Sequence, residues 1–407
     1  YVWYSGKLWR AVSINNEAKT TKLVTQWNIS AVAYNADNVV NNTAFEGSFM
    51  EDWLNDTSVD GFLGNLRDYE NFIVTDAKWD ASSDNNKLGS IPKPNGTTIV
   101  TAPVGLLNTY EYQSSNNGGT NGYLNNELPW WTLTPYNSAY SCVVTRGGVV
   151  TFHTPDNVFG NGVRPSINLQ SNIKIVDGDG TIDNPYKLNG DNDTNLSGTL
   201  LNTRYSGEYI RFGNNENNLY RIVSHENGTG TKITSAEPLK SSGEFIKSVF
   251  GNNVTFSSTN IIGIFLNVDY LTSYVNDEYR EMIEDETTWY LGTVGEGKSY
   301  KLAKYTNKTG TSLTSKKTIA RVGLLRYGEL MSGQFDRFGN NSFYWLLTPF
   351  STISIRRVDD GYGVGSDVSR PSDNSYGIRP SLNLKSNVQI TSGTGTKSDP
   401  FVLTLGN

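Results

Sequence analysis

The sequence predicts an α+β fold written twice in tandem, and three observations carry that prediction. Four blocks recur in one order, offset by 211 to 218 positions. Each copy runs from strands through helical sequence to a closing set of antiparallel strands. A polar, turn-rich stretch separates the copies. TLTPY (132–136) and GVRPSINL (162–169) return as LLTPF (346–350) and GIRPSLNL (377–384), so Arg164 and Arg379 lie 215 positions apart. LWRAVSIN (8–15) pairs likewise with LYRIVSHE (219–226), and VGLLNTYEY (104–112) with VGLLRYGEL (322–330). A solenoid unit spans roughly 20–50 residues, so this period is that of a domain. At roughly 150–200 residues per domain, 407 residues hold two cores. The expected division is a first domain over 1–190, a linker over 191–206 and a second domain over 207–407.

The elements follow in order. Strand sequence opens each copy, at 1–4 and 8–14 or at 209–212 and 219–223, with a short turn of Gly, Asn or Ser between. A third strand, near 21–26 or 231–235, is the expected partner. Next, 48–73 places Phe49, Trp53 and Leu54, then Phe62, Leu63, Leu66 and Tyr69, at helical spacing, and 264–283 is its counterpart. A strand bearing Trp79 or Trp289 follows, then a polar insertion. After it, TTIVTAPVGLL or KTIARVGLL leads into a short helix with Glu111 or Glu329. PWWTLTP and FYWLLTP read as buried strand ends. CVVTRGGVVTFH (142–153) reads as a hairpin turning at Gly147-Gly148, matched by Asp360-Gly361. Such pairs supply the positive φ that a tight hairpin needs. A glycine turn and a final strand close each copy, at 178–188 and 393–403. Strands, helices, then strands argue for antiparallel sheets with one or two helices per copy, not for βαβ units.

Composition narrows the function. Hydrophobic residues make up 36% and charged residues only 18%, while 23 Tyr and 9 Trp sit among abundant Asn, Ser, Thr and Gly. This neutral-polar, aromatic style suits extracellular adhesive modules. A net charge of −6 argues against nucleic acid, which requires a basic footprint. The single cysteine, Cys142, allows no intrachain disulfide and reads as a small buried hydrophobe. No apolar run reaches the ~18–20 residues of a membrane span. Tyr1 already lies in strand-like sequence, so the chain is expected to start directly at a domain.

At the WWTLTP…GVRP and YWLLTP…GIRP blocks, the sequence resembles a family of uncharacterised domains in secreted and surface proteins of Gram-positive bacteria. These carry a Trp-rich strand ending in Ser/Thr-Pro, a variable stretch, then Gly-Val/Ile-Arg-Pro. That family is similar to the C-type-lectin-like superfold of formylglycine-generating enzymes and of some phage tropism determinants. The resemblance implies two tandem C-type-lectin-like domains and non-covalent binding through the variable stretch. The superfold's calcium-site triplets are absent, for Gln26-Trp27-Asn28 continues into Ile29, and one thiol cannot supply a pair of active cysteines.

The motif residues Trp131, Pro135, Arg164 and Pro165, with Trp345, Pro349, Arg379 and Pro380, recur in both copies and read as scaffold. The variable stretches read as recognition loops, since Tyr and Arg among Ser, Gly and Asn suit adaptable contacts. Candidate contacts are Tyr136, Tyr140, Arg146, His153 and Phe159 in the first copy. In the second they are Arg356, Arg357, Asp359, Asp360, Tyr362, Asp367, Asp373 and Tyr376. The two histidines, His153 and His225, occupy non-equivalent positions, and no nucleophile elbow, zinc pattern or phosphate loop is present. Asp177, Asp179 and Asp183, or Asp191 and Asp193, do not fit calcium-loop spacing, and Ser392, Thr394 and Ser398 replace the first three in the second copy. No enzyme, metal or cofactor is expected. The sequence points to an extracellular, cell-surface binding protein, an adhesin or appendage head that grips a protein or glycan on another cell or surface. A structural subunit of a filament or surface layer, binding copies of itself, is the alternative; a phage tail receptor-binding protein is a further one.

Overall fold

The structure is a computed structural model describing residues 1–30, 33–35, 42–58, 61–83, 93, 95–115, 122–156, 161–190, 195–225, 230–292, 316–332, 343–358 and 366–406. The chain is mostly β, 35% strand and 15% helix, in small antiparallel sheets that take a four-blade, propeller-like arrangement. Antiparallel sheets were expected, but as part of an α+β fold with one or two helices per copy, whereas the chain is mostly β. The C-type-lectin-like tandem is not detected. No helix among the described residues is long and apolar enough to cross a membrane.

The repeat is visible as matching strand order and register. In the first copy Val2–Tyr4, Lys7–Asn15, Thr20–Thr25 and Ser166–Leu169 lie side by side. In the second, Tyr209–Arg211, Leu219–Ser224, Thr231–Ser235 and Pro380–Leu384 do the same, with Val322–Leu324 added. Lys22 opposes Asn168 and Leu23 opposes Ile167, as Lys232 opposes Asn383 and Ile233 opposes Leu382. A second sheet in each copy starts from the Trp strand. Trp130–Pro135 pairs with Ser141–Val144, and Tyr344–Pro349 pairs with Ile355–Val358, each with a register shift between the Trp and the Pro. Hydrophobic alternation fixes register, because a slip of one residue would turn the buried face outward.

The helices are shorter than the helical spacing suggests. Phe49–Asn55 is capped by Ser48, whose side chain accepts from Glu51 N, and it buries Met50, Trp53 and Leu54. It stops at Asp56 because the chain must then fold back tightly: Gly64 packs so closely on Ser58 that a Cβ would lie 2.0 Å from its carbonyl oxygen. The counterpart runs unbroken from 261 to 273, with a π turn over Phe265–Asp269 between Ile261–Ile264 and Tyr270–Ser273.

The expected linker is only partly one. Leu196 and Leu201 are buried in the second copy's core, and Leu200 bridges to Gln389, so the apolar residues of 195–203 belong to the second copy. The two copies also touch each other. Trp3 and Tyr209 rings lie 6.2 Å apart, Lys7 Nζ donates to Ser206 O at 3.2 Å, and Arg67 faces Glu208 at 3.5 Å. Ser398 Oγ donates to Asp183 O at 2.7 Å, and these two residues occupy equivalent positions in the repeat.

Candidate functional site

What both copies keep is a buried brace. Gly105 in the first copy lets the Trp79 indole lie against the strand, and Gly323 does the same for Trp289; a Cβ would come within 2.4 or 2.7 Å of the ring. The indole nitrogens donate to Ala102 O at 2.7 Å and to Ala320 O at 3.0 Å. Above each ring stands a lysine, Lys22 or Lys232, 4.8 or 5.1 Å from the ring centroid, paired with Glu111 or Glu329. Each glutamate also caps its helix, accepting from Asn108 N at 3.0 Å or from Arg326 N at 2.8 Å. Burial opposes the charge on Glu329, yet Arg326 and Lys232 outweigh it and hold the carboxyl down to about 2.

The arginines of the recurring motif belong to this scaffold. Arg164 is fully buried, donates to Thr25 O at 2.9 Å and Leu124 O at 2.6 Å, and lies 4.8 Å from the Trp130 ring. Its burial lowers the guanidinium pKa to about 9. Arg379 likewise donates to Ser235 O at 2.6 Å and to Tyr344 Oη at 3.1 Å. Trp131 and Trp345 are fully buried, and Pro165 and Pro380 are buried beside the arginines. All of these side chains are buried in the scaffold. Pro135 and Pro349 end the Trp strands where the chain leaves the shared scaffold.

Beyond those prolines the copies part. In the first, Tyr136 stacks on Phe152 with centroids 4.2 Å apart and planes within 1°, and Tyr140 leans on the same ring at 4.9 Å. All three are half-buried. The turn that presents them is built by Asn137, whose Oδ1 accepts from Ala139 N at 2.8 Å and Tyr140 N at 3.0 Å. Beside it opens a cleft of about 380 Å³, lined by Ala81, Ser83, Thr98, Tyr136, Asn137 and Ser138 among others, none of them charged. The nearby Asp80 carboxylate is engaged by Ser82 N, Ser82 Oγ and Gly96 N. Arg146 stands exposed at the hairpin tip, where Gly148 takes φ 79°. His153 is half-buried, edge-on to Trp131 at 6.4 Å and 2.7 Å from Asn161 Nδ2, and burial lowers its pKa. It is a member of the wall more than a free contact. Phe159 lies outside the described residues.

In the second copy the residues that follow the Trp strand pack differently. Arg356 stands where the first copy has Cys142, and its guanidinium lies 4.1 Å from the Tyr327 ring and 5.1 Å from the Phe350 ring. It is buried, so the expectation that it contacts a ligand is corrected: a long planar cation next to two aromatic faces gains more inside than in the loop. Arg357 is held between Phe343 at 4.6 Å and Tyr376 at 4.9 Å, and its Nε donates to Ser369 Oγ at 3.0 Å. Tyr376 packs edge-on to Trp345 at 4.7 Å. Arg357 and Tyr376 therefore brace the sheet, although both stay half-exposed. Asp373 is exposed near Arg370. Asp359, Asp360 and Tyr362 lie outside the described residues; Asp367 opposes Arg357 in register, and its side chain is likewise outside them.

Of the residues at this candidate site, the sequence pointed to Tyr136 and Tyr140 but not to Phe152, Ser83, Thr98 or Asn137. Asn137 had a legible signal, an Asn one residue beyond the Thr-Pro-aromatic step followed by Ser, which is turn chemistry. Ser83 and Thr98 had none, because a distant strand pair brings them to the cleft. No family model matches the chain, and no curated protein or solved structure shows significant similarity to it.

Proposed function

We propose that this chain is an extracellular, non-enzymatic binding protein, a surface adhesin or appendage head, that recognises its target through the divergent face of the first copy. The observation that carries this reading is the half-buried Tyr136–Phe152–Tyr140 group, whose Tyr136 lines an open cleft. Aromatic side chains fixed by their neighbours lose little rotamer freedom on binding and supply large contact area. Placing them where the two copies differ, on a scaffold both copies share, fits a site grafted on a stable frame. The Trp-strand, Thr-Pro and Gly-Val/Ile-Arg-Pro motifs support a Gram-positive cell surface as its setting. The purified chain should bind cells or surface extracts, and Tyr140→Ala should weaken that binding without unfolding the chain. Unaltered binding by the Tyr136→Ala/Tyr140→Ala double variant would remove the face from consideration.

A second reading, a subunit of an extracellular filament, is favoured by one feature. Ile261, Ile264 and Val268 stand 43%, 47% and 53% exposed at helical spacing on one flank of the second copy. Sedimentation of the full chain separates the two: concentration-dependent assembly abolished by Ile264→Glu supports the filament, and a monomer at all concentrations supports the binding head.

A further inference from the structure

We infer that the first copy's cleft takes a neutral, hydroxyl-rich ligand, a glycan, and that the equivalent place in the second copy does not; this rests on the binding reading above. The lining decides the class. Thr98 and Ser138 stand exposed; Ser83, which donates to Tyr136 O at 3.4 Å, and Asn137, whose Oδ1 is taken by its own turn, stand beside them; Tyr136 and Ala81 supply apolar surface. A saccharide presents both kinds of surface, hydroxyl edges and C–H faces. A charged ligand would find no opposite charge among the described lining residues. A purely apolar ligand would strip water from the exposed Thr98 and Ser138 side chains and return no hydrogen bond, which is costly. A volume of about 380 Å³ lies near the small end of the roughly 300–1,000 Å³ range for small-ligand sites, room for a short saccharide segment rather than a protein face.

The site is pre-formed. Phe152 covers one face of the Tyr136 ring, Tyr136 N donates to Tyr140 O at 2.9 Å, and Thr43 Oγ1 donates to Asn137 O at 2.6 Å. The ring therefore keeps its aim without a ligand.

The second copy replaces the residues that line this cleft. Backbone bonds align the two: Ala81 N to Thr98 O at 2.9 Å matches Leu291 N to Lys316 O at 2.8 Å, and Tyr136 N to Tyr140 O matches Phe350 N to Ser354 O at 3.0 Å. Thus Ala81 is replaced by a larger, buried Leu291, and Thr98 by an exposed Lys316. Asn137 is replaced by Ser351, and the Tyr136 ring by Phe350 with Arg356 close by. Each change removes space, neutrality or a hydrogen-bonding group.

Thr98→Lys places the second copy's residue at an exposed position of the first, so folding is not at stake. The full chain is titrated with defined neutral oligosaccharides, with sulfated and sialylated ones, and with immobilised surface proteins. Neutral oligosaccharides should bind; Thr98→Lys and Tyr136→Ala should each weaken them about tenfold or more, Tyr136→Phe less, and Thr352→Lys in the second copy not at all. Preference for the anionic sugars, or full affinity in Thr98→Lys, would overturn the proposal. Binding of a protein but no glycan, lost in the Tyr136→Ala/Tyr140→Ala variant, would overturn the ligand class and leave the binding reading standing. Binding of neither class would overturn both.

Discussion

Removing the charge of the shared glutamate should cost far more in the second copy than in the first. Glu329 and Lys232 side chains are only 5% and 2% exposed, whereas Glu111 and Lys22 are 21% and 16% exposed. Glu329 accepts from Lys232 Nζ at 2.5 Å, Arg326 Nη2 at 2.7 Å and Arg326 N at 2.8 Å. Glu329→Gln leaves two buried cations facing a neutral amide, a loss of about 3–5 kcal/mol. Glu111→Gln keeps the helix cap, which Gln also makes, and gives up a partly exposed pair worth about 0–1 kcal/mol. At about 2–4 °C per kcal/mol for domains of this size, calorimetry should show a fall of about 6–20 °C for Glu329→Gln and at most about 4 °C for Glu111→Gln. The acid limb should follow. Because Glu329 ionises more readily in the folded chain, its contribution is complete above the ordinary value of 4.5 and is lost as pH falls toward about 2. Equal losses in the two copies, or a larger loss for Glu111→Gln, would refute the reasoning from burial.

Three further outcomes follow from the scaffold. Arg164→Lys cannot serve both Thr25 O and Leu124 O with the same geometry, and should lower the unfolding free energy by about 1–3 kcal/mol, seen as a lower urea midpoint at unchanged m. Gly323→Ala drives a methyl to 2.7 Å from the Trp289 ring and should cost about 1–3 kcal/mol, with altered tryptophan fluorescence in the native state. Burial lowers the pKa of His225, so the unfolded chain takes up that proton more readily; stability should be flat above pH 6.5 and fall below it, a slope that His225→Gln should reduce.

Much of the fold was legible because it is written twice. The opening strands, the Trp79 and Trp289 strands, the helices carrying Glu111 and Glu329, and the Gly147-Gly148 hairpin all stand where pattern and turn chemistry place them. The superfold was not legible. Motifs report which residues are buried, whereas sheet arrangement depends on contacts such as Gly105 with Trp79 that join segments far apart in the chain. Helix length was overread, since Gly61 and Gly64 pack on the 56–58 turn and end the helical run early. At the site, Tyr136 and Tyr140 were accessible to composition. Arg356 was misread because an arginine in a Ser- and Arg-rich stretch looks solvated, and only its place against Tyr327 shows otherwise.

The account holds that a scaffold common to both copies carries a binding cleft in the first copy alone. An amide chemical-shift map of the deuterated full chain, titrated with a neutral oligosaccharide that it binds, tests this most directly. Shifts should concentrate at Ser83, Thr98 and residues 136–140 and spare the equivalent residues 350–354. Shifts of equal size at 350–354, or shifts confined to the second copy, would contradict it.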